Sequence, residues 1–519
     1  MPGALEGIRI LDLTTGSAGP LGVLMLAEQG ADVIKVEPPT GDPFRDYEGY
    51  KVWTRSRRSV RCDLKSGAGR EAFLELAKTA DLVVESFRPG VLDRLGIGWD
   101  QLHSTNPRLS LVSCPAYPPG HRLAHRPGYD ALVQAASGQQ WEQPGWRAGP
   151  IFLAMPLPSM GSVFLIALGA LSGVLAREQT GRGQHVQTSL LQGVLLYTTQ
   201  IWQHIERADA SVFNLMAKQH PPAVHQGMIF ECANREFMHI SIMSGLMPTK
   251  SLDQILGAEP LAPEETKGLL PLQAQVLLTD RLRDKARGRD RGELIEELLA
   301  NNHAVEAIVE PEDQFAHPQL IANHMVATVD DPDLGSTTQL GVPIHLLGTP
   351  GAIVSGQPAL GAHDAEVWGE LEITGARLAA VTGSEVTGSA VTAALPGSGD
   401  STAATPLPIR VTARPSLHLP DAAAGRGGSS TAPALGAYRL VDFGQYLAGP
   451  FGPMILGDLG MEVIKVEPVA GDGMRMAATP FFGCQRGKRD IALNIKDPAG
   501  IELAMKLVGT ADVVHHNMT

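Results

Sequence analysis

Three basic side chains, Lys65, Arg88 and Arg94, stand where they could bind an anionic ligand. Arg88 and Arg94 flank the predicted start of a helix in the stretch ESFRPGVLDRLG, and Lys65 follows the run RSVRCDL. Backbone amides at a helix N-terminus add to the attraction that such cations exert on phosphate groups. The pattern favours a ligand that carries several phosphates, although each cation taken alone is also compatible with a solvated surface charge.

A glycine-rich turn suggests a second kind of ligand. The stretch TTGSAGPLG has glycines at positions 16, 19 and 22, and Glu37 closes the next predicted strand. The dinucleotide fingerprint is G-x-G-x-x-G, whereas this turn reads G-x-x-G-x-x-G, so the close approach to a pyrophosphate is not encoded. A nicotinamide-dependent enzyme is therefore a weaker alternative, and a tight strand-to-helix turn explains the same glycines.

The elements that would position these residues alternate between strand and helix. IRILDL is a short apolar run typical of a buried parallel strand, SAGPLGVLMLAEQ has helical spacing and stops at Gly30, and DVIKVEP reads as a second strand. A helix over GREAFLELAKTA and a strand over DLVVES follow. The predicted fold class is α/β with a parallel sheet, whose ligands bind beyond the carboxyl ends of the strands.

Composition narrows the class of protein. A chain of 519 residues is too long for one hydrophobic core, and its net charge of -13 argues against a nucleic-acid or anionic-membrane partner. The four cysteines lack metal-type spacing and suit reduced thiols in the cytoplasm. The N-terminus lacks the pattern of a signal peptide. The uncharged run Met160–Ala176 is short for a membrane span, so a buried core helix is favoured.

The chain carries an internal repeat. GADVIKVEPPTGD at residues 30–42 returns as GMEVIKVEPVAGD at residues 460–472, and Asp12 and Arg45 return as Asp442 and Arg475 in the same register. After a one-residue insertion Arg58 matches Arg489. So many matches in one register indicate a duplication. Residues 371–435 lie between the copies, contain no Phe, Trp or Tyr, and are predicted to be a flexible linker.

Nine separated stretches resemble the CaiB/BaiF, or class III, CoA-transferase family. They are LDLTTGSAGP, GADVIKVEPPTGDPFR, DLVVESFRPGVLDRLGIGWDQL, NPRL, RPGYDALVQAASG, TGRGQHVQTSLLQG, HPQLIANHMV, GVPIHLLGTPG and PALGAHDAEV. The resemblance covers about residues 5–370 and again 436–519. It implies a Rossmann-like large domain, a smaller α+β domain and an interlocked dimer.

The resemblance also implies a division of the chain. Residues 1–370 would form a first CoA-transferase unit, with a large domain at about 1–200 plus a C-terminal return and a small domain at about 225–330. Residues 436–519 would be the start of a second, truncated unit. A fused chain of this kind could act as an intramolecular pseudo-dimer in place of a dimer.

Ligands and partners follow from the same resemblance. The substrates would be coenzyme A or acyl-CoA and a carboxylic acid, with no metal. The adenosine end of CoA would lie near Ser86, Phe87 and Arg88, with Arg94 and Lys65 near the phosphates. Ser17 stands where family members often contact the thioester end.

The nucleophile is the point of departure from the family pattern. Family members use an aspartate about 21 residues before the T-G-x-G-Q turn, and this count leads to Ser159 here. No Asp or Glu occurs between Arg147 and Ala176. A serine hydroxyl cannot form the same mixed anhydride, so we expect the first unit to lack the usual nucleophile. Asp130 is the nearest acid, although a capping or core role is the more ordinary one for it.

Several hypotheses stay open. The chain could be a CoA-transferase, a noncatalytic CoA-binding half of a fused enzyme, an acyl-CoA racemase-like enzyme or a nicotinamide-dependent enzyme. The racemase branch uses a histidine where this chain has Tyr129, which makes proton exchange less favoured. The remaining histidines, including His121, His125, His515 and His516, are interpreted as surface or loop residues.

Overall fold

The structure is a computed structural model that describes residues 2–142, 150–198, 229–241, 248–268, 271–383, 433–476 and 478–518. The first part of the chain builds a six-stranded parallel sheet in the order β3-β2-β1-β4-β5-β6. Its strands are β1 (Arg9–Leu13), β2 (Asp32–Glu37), β3 (Arg58–Arg61), β4 (Leu82–Glu85), β5 (Ser110–Ser113) and β6 (His185–Gln187). The predicted α/β class with a parallel sheet is confirmed.

Helices connect these strands and cover both faces of the sheet. They are α1 (Ala18–Ala27), α2 (Tyr50–Trp53), α3 (Gly67–Ala77), α4 (Val91–Leu95), α5 (Trp99–Thr105), α6 (Asp130–Ser137), α7 (Gln139–Glu142), α8 (Leu157–Thr180) and α9 (Leu190–Thr198). On one face α1 and α8 pack against strand residues such as Ile10 and Val84. On the other face α3 and α5 pack against Leu11 and Val83. Burial on both sides explains why a central strand such as β4, with the sequence LVVE, carries consecutive apolar residues.

Helix α8 contains the uncharged run for which we predicted a buried core helix. Ile166, Ala167, Ala170 and Val174 lie in the apolar core with α1 and the sheet. Among the described helices, α8 is the one that is long and apolar enough to cross a membrane by length and composition. Its packing against the sheet agrees with the prediction of a core helix.

A smaller antiparallel sheet follows, in the order β7-β8-β9. Its strands are β7 (Ile229–Glu231), β8 (Phe237–Ser241) and β9 (Ala304–Ile308), and helices α10 (Leu252–Leu256), α11 (Pro263–Thr266), α12 (Pro271–Ala286) and α13 (Arg291–Ala300) lie between β8 and β9. Leu282 and Leu298 pack against Phe230 and Met238 in a core of their own. 3-10 turns occur at Ala233–Arg235 and Pro311–Ala316.

The chain then returns to the large sheet. Helix α14 (Pro318–Ala322) and the hairpin β10 (Val326–Asp331) and β11 (Gly335–Leu340) precede α15 (Asp364–Gly369), where Trp368 is fully buried and donates from Nε1 to the carbonyl of Arg61 at 3.2 Å.

The linker prediction was wrong at its first residues. Residues 375–382 form helix α16 (Gly375–Thr382), and Ile373 and Val381 are buried against α3 and the sheet. The amide of Asp63 also donates to the carbonyl of Val381 at 2.8 Å. These apolar side chains stabilise a helix that composition alone did not reveal. Residues 384–432 lie outside the described residues, so a linker there stays a prediction.

Residues 433–518 repeat the first sheet on a smaller scale. Strands β12 (Arg439–Asp442), β13 (Glu462–Glu467), β14 (Arg489–Ala492) and β15 (Val513–His515) are parallel in the order β14-β13-β12-β15. Helices α17 (Ala448–Asp458), α18 (Ala478–Gln485) and α19 (Pro498–Val508) and a 3-10 turn at Gly473–Met476 complete this part. The pair Leu440 and Val463 reproduces the pairing of Ile10 with Val33.

His515 differs from its interpretation as a surface or loop residue. It ends strand β15, and its Nδ1 lies 2.9 Å from Oδ1 of the buried Asp442. The side chain is 31% exposed, so it is only partly a surface residue.

Candidate active site

Three polar side chains from separate elements meet at the N-terminus of α8. The Ser159 hydroxyl donates to Oδ2 of Asp130 at 2.7 Å, and the Ser159 amide donates to Oδ1 at 2.8 Å. The Ser17 hydroxyl donates to Oγ of Ser159 at 3.3 Å. The structure thus places Ser17 and Ser159, which the family resemblance put near the reacting groups, in one hydrogen-bonded chain with Asp130, the alternative acid.

These three residues differ in accessibility. Ser159 is only 2% exposed, whereas Asp130 and Ser17 are each half-buried. Ser17 precedes α1 just beyond the carboxyl end of β1, and Asp130 begins α6. Asp130 is therefore the more accessible residue of the hydrogen-bonded pair that it forms with Ser159, which is almost fully buried.

A buried glutamine fixes the position of this carboxylate. Gln134 lies one helical turn after Asp130, is fully buried, and donates from Nε2 to the carbonyls of Leu153 and Met155 at 3.1 and 3.2 Å. These bonds join α6 to the segment that leads into α8. Because both helix starts are held together, Asp130 and Ser159 keep a fixed separation.

The predicted adenosine contacts lie on the loop after β4. The Thr15 amide donates to Oγ of Ser86 at 2.8 Å, which ties this loop to the one after β1. Phe87 packs partly against the core, and its amide donates to Oε2 of Glu85 at 2.7 Å. Ser86 and Phe87 are therefore held at the carboxyl edge of the sheet, where an open α/β sheet binds its ligands.

The predicted phosphate contacts are exposed cations at the same edge. Arg88 donates to the carbonyl of His125 at 3.0 Å, and Arg94 and Lys65 are exposed. No ion pair within the described ranges involves any of the three. Arg70 was missed by sequence reasoning: it donates to the carbonyl of Lys65 at 3.0 Å, and its side chain lies beside Gly96. A second basic residue after Lys65 was the signal that could have identified it.

A cavity of about 330 Å³ opens behind this loop, at the ends of β4, β5 and β6. Ser113 hydrogen-bonds both Glu85 and Nε2 of His185, the latter at 2.9 Å. Burial raises the pKa of Glu85 to about 7 against the lowering effect of its bonds from Ser113 and Phe87. Burial also lowers the pKa of His185. This chain of groups could not be recognised in the sequence, because its members come from three strands.

The glycine turn and Glu37 do not form a dinucleotide site. A Cβ on Gly22 would lie 2.8 Å from the Ile166 side chain, and one on Gly19 would lie 2.3 Å from Thr14. These glycines permit close packing of α1. Glu37 is 1% exposed and accepts from Arg45 and Ser59, each at 2.7 Å. Burial pushes the pKa of Glu37 upward, but Arg45, Lys35 and Ser59 together hold the pKa below its usual range.

Buried charges underlie the floor of the site. Asp12 is fully buried and pairs with the buried guanidinium of Arg57. Lys35 is 2% exposed, lies 3.4 Å from Asp42 and donates to the carbonyl of Thr14. These ion pairs fix the loop after β1, on which Ser17 stands.

The racemase hypothesis gains no support from the geometry. Tyr129, in the place of the racemase histidine, is 64% exposed and precedes α6. Within the described part of the chain, no group of three or more His, Cys, Asp or Glu side chains is arranged to hold a metal ion.

The sequence of this chain is similar to the sequences of known CoA-transferases. It matches the CoA-transferase family III over residues 5–364 and 435–519. It is 28% identical over 398 residues to a formyl-CoA:oxalate CoA-transferase of Streptomyces avermitilis, covering 72% of this chain and 96% of that protein. It is 33% identical over 279 residues to an acetyl-CoA:oxalate CoA-transferase of Acetobacter aceti, covering 50% and 69% of the two chains.

Solved structures show the same architecture. A CaiB/BaiF family protein of Brucella suis has a TM-score of 0.60 at 25% identity, covering 72% of this chain and all of that one. A hypothetical protein of Mycobacterium tuberculosis has a TM-score of 0.58 at 26% identity, covering 70% and 99%. The sequence match to CoA-transferase family III, over residues 5–364 and 435–519, includes both segments that carry the repeated sheet. The chain belongs to CoA-transferase family III, the family also known as CaiB/BaiF or class III.

Proposed function

We propose that this chain binds acyl-CoA and a carboxylic acid and transfers CoA between them without using residue 159 as the nucleophile. The observation that carries the second part is the buried Ser159, which occupies the expected position and donates its hydroxyl to Asp130. Relatives named for CoA transfer to oxalate support the first part.

The chemistry explains why residue 159 matters. In this family a carboxylate attacks the thioester, giving a mixed anhydride and then an aspartyl-CoA thioester. A serine oxygen would give an ester instead, and CoA could not be carried on it as a thioester. We therefore expect the Ser159→Ala variant to retain CoA binding and to keep measurable CoA transfer.

Binding of CoA would use the residues at the carboxyl edge of the sheet. Phe87, Ser86 and Arg88 would contact the adenosine end, Arg94 and Lys65 the phosphates, and Ser17 the thioester end. The exposure of the three cations supports this proposal, because exposed charged donors bind phosphate strongly.

Isothermal titration of the intact chain with CoA tests this arrangement. We expect Arg88→Ala or Arg94→Ala to weaken CoA binding about tenfold, the order expected for one lost charge-assisted hydrogen bond. Lys78→Ala is the matched control, because Lys78 is 52% exposed and pairs with Glu75 on α3. Absence of CoA binding by the unaltered chain would contradict the proposal.

A second candidate function is a noncatalytic CoA-binding unit, which the serine at position 159 favours. Transfer of CoA from acetyl-CoA or formyl-CoA to oxalate, followed by chromatography, separates the two candidates. Binding without turnover would favour the noncatalytic unit, and turnover would eliminate it.

We further propose that the chain is a fusion of two family units that assemble as an interlocked dimer or an intramolecular pseudo-dimer. The matching strand order and register of the two sheets support this. Light scattering should distinguish a 55.1 kDa monomer from a species of twice that mass.

We place the protein in the cytoplasm. The support is that all four cysteines are buried free thiols, as expected in a reducing compartment. Fractionation of cells that produce the protein would test this placement.

A further inference from the structure

We infer that Asp130 supplies the carboxylate that attacks the thioester in the first unit, in place of residue 159. This inference rests on the proposed CoA-transfer function and names the residue that would perform it. Three observations support it: the place of the carboxylate, its accessibility and its fixed orientation.

The Asp130 carboxylate lies at the end of a long helix. It accepts from the Ser159 amide at 2.8 Å, and Ser159 is in the first turn of the 24-residue α8. The partial positive charge of a helix N-terminus stabilises an anion there. The Asp130 carboxylate, on the first residue of α6, thus lies at the start of α8, where the sequence pattern placed the missing acid.

Accessibility favours the carboxylate over the serine beneath it. Ser159 is 2% exposed, while Asp130 is half-buried and follows Tyr129, which is 64% exposed. Ser17, half-buried at the carboxyl end of β1, donates to Ser159 at 3.3 Å and so lies two hydrogen bonds from Asp130. Asp130 therefore keeps an accessible surface that the buried Ser159 lacks.

The carboxylate is also held in one orientation. Its two oxygens accept one bond each from the amide and the hydroxyl of Ser159. Each ionised oxygen retains a further lone pair for attack. Gln134, one turn along α6, binds the carbonyls of Leu153 and Met155 and prevents the two helix starts from separating. Such fixed geometry removes part of the entropic cost of attack.

The transfer balances with Asp130 as the nucleophile. One Asp130 oxygen attacks the thioester carbonyl carbon, the C–S bond breaks, and CoA leaves as its thiolate. The thiolate attacks the Asp130 carbonyl carbon of the resulting anhydride and expels the donor carboxylate. The acceptor carboxylate then displaces CoA from the aspartyl thioester, and the thiolate attacks the acceptor acyl carbon and releases Asp130. No proton or electron is consumed overall.

Trapping the intermediate tests the assignment directly. The chain is incubated with acetyl-CoA, quenched with borohydride or hydroxylamine, digested with trypsin and mapped by mass spectrometry. Asp130 and Ser159 fall in different tryptic peptides, residues 123–147 and 148–177. We expect modification of Asp130 in the first peptide. Modification of Ser159, or of an acid elsewhere in the chain, would overturn the inference.

Two variants distinguish a nucleophilic role of Asp130 from a purely structural role at the start of a helix. Asp130→Asn keeps an oxygen that can accept from the Ser159 amide, so it should fold and bind CoA, yet lose turnover by about 10⁴-fold. Ser159→Ala keeps the amide donor but loses the hydroxyl that orients one Asp130 oxygen, so its turnover should fall by about tenfold while the Asp130 adduct still forms. Asp280→Asn, which alters a 59% exposed aspartate on α12, is the control and should behave like the unaltered chain.

The outcomes also separate this inference from the proposed function. Full turnover by Asp130→Asn would overturn the role of Asp130 while leaving CoA transfer intact. Binding of CoA without turnover or adduct in the unaltered chain would overturn it as well and leave a noncatalytic unit. Loss of CoA binding in the unaltered chain would instead defeat the proposed function itself.

Discussion

A buried aspartate at the end of the first strand pairs with a cation in both sheets, but the cation differs. Asp12 pairs with Arg57, whose guanidinium also donates to the carbonyl of Pro20 at 2.9 Å. Asp442 pairs with Lys488 at 2.9 Å, and Lys488 donates to the carbonyl of Pro450 at 2.7 Å. Two cations of different shape thus satisfy the same pair of acceptors.

This equivalence leads to a prediction for Arg57. Replacing it with leucine removes the closest cation from the buried Asp12 and leaves only Lys35, at 3.9 Å, so Arg57→Leu should lower the free energy of unfolding by about 3–5 kcal/mol. Arg57→Lys should cost clearly less, because the second sheet shows that an ammonium can reach both acceptors. Urea denaturation of the two variants measures this. Equal losses for lysine and leucine would contradict the shared role.

Glu85 should make stability depend on pH. The pKa of this carboxyl rises from an ordinary value of 4.5 to about 7 on burial. Between these values the folded protein holds a proton that the unfolded chain releases. Stability is therefore greatest below the unfolded value, falls as the pH rises through this window, and levels off above about 7.

The variant Glu85→Gln cannot ionise and should lose this dependence. Relative to the unaltered chain, its free energy of unfolding should rise by up to about 3 kcal/mol between roughly pH 5 and pH 8, the equivalent of the shift. Thermal melts across this range measure the difference, with Glu75→Gln on the exposed face of α3 as the control. Parallel pH profiles for Glu85→Gln and the unaltered chain would rule out a titrating Glu85.

Among the elements, the sequence predicted those with long apolar runs. Strands β1, β2 and β4 and helices α1 and α3 were predicted because each buries a face that is apolar in sequence. Strand β3 was missed, since RSVR begins and ends with arginine and forms the edge of the sheet. The contact between Asp130 and Ser159 could not be predicted, because it depends on how residues 150–156 bring α6 to α8.

Helix α16 is the element that most changes the expected organisation. Val381 is fully buried against the sheet, although the surrounding sequence is rich in Ala, Gly and Thr. We expect Val381→Ala to lower the free energy of unfolding by about 2 kcal/mol through the lost contacts and the remaining cavity. Arg377→Ala on the exposed side of the same helix should have little effect in urea titration. A neutral Val381→Ala would indicate that α16 does not pack in solution.

At the scale of the whole molecule, the division into units is open to protease mapping. Residues 384–432 contain no aromatic side chain and include Arg410 and Arg426. If this segment is a linker, brief trypsin treatment should cut at these arginines before it cuts at Arg377 in α16. Mass spectrometry of the early fragments measures the order. Early cleavage at Arg377 would place the start of the linker where the sequence first suggested it.

The one-residue insertion in the second unit falls between Arg475 and Lys488, in the connection that holds α18 and outside every strand. Pairing on both sides of it is unchanged, with Ile464 opposite Arg489 as Ile34 is opposite Arg58. The extra residue thus lengthens a connection and leaves the register of the strand pairs unchanged. A chimaera in which residues 439–467 replace residues 9–37 should accordingly still form the parallel sheet. The corresponding segments of the two units should therefore be interchangeable.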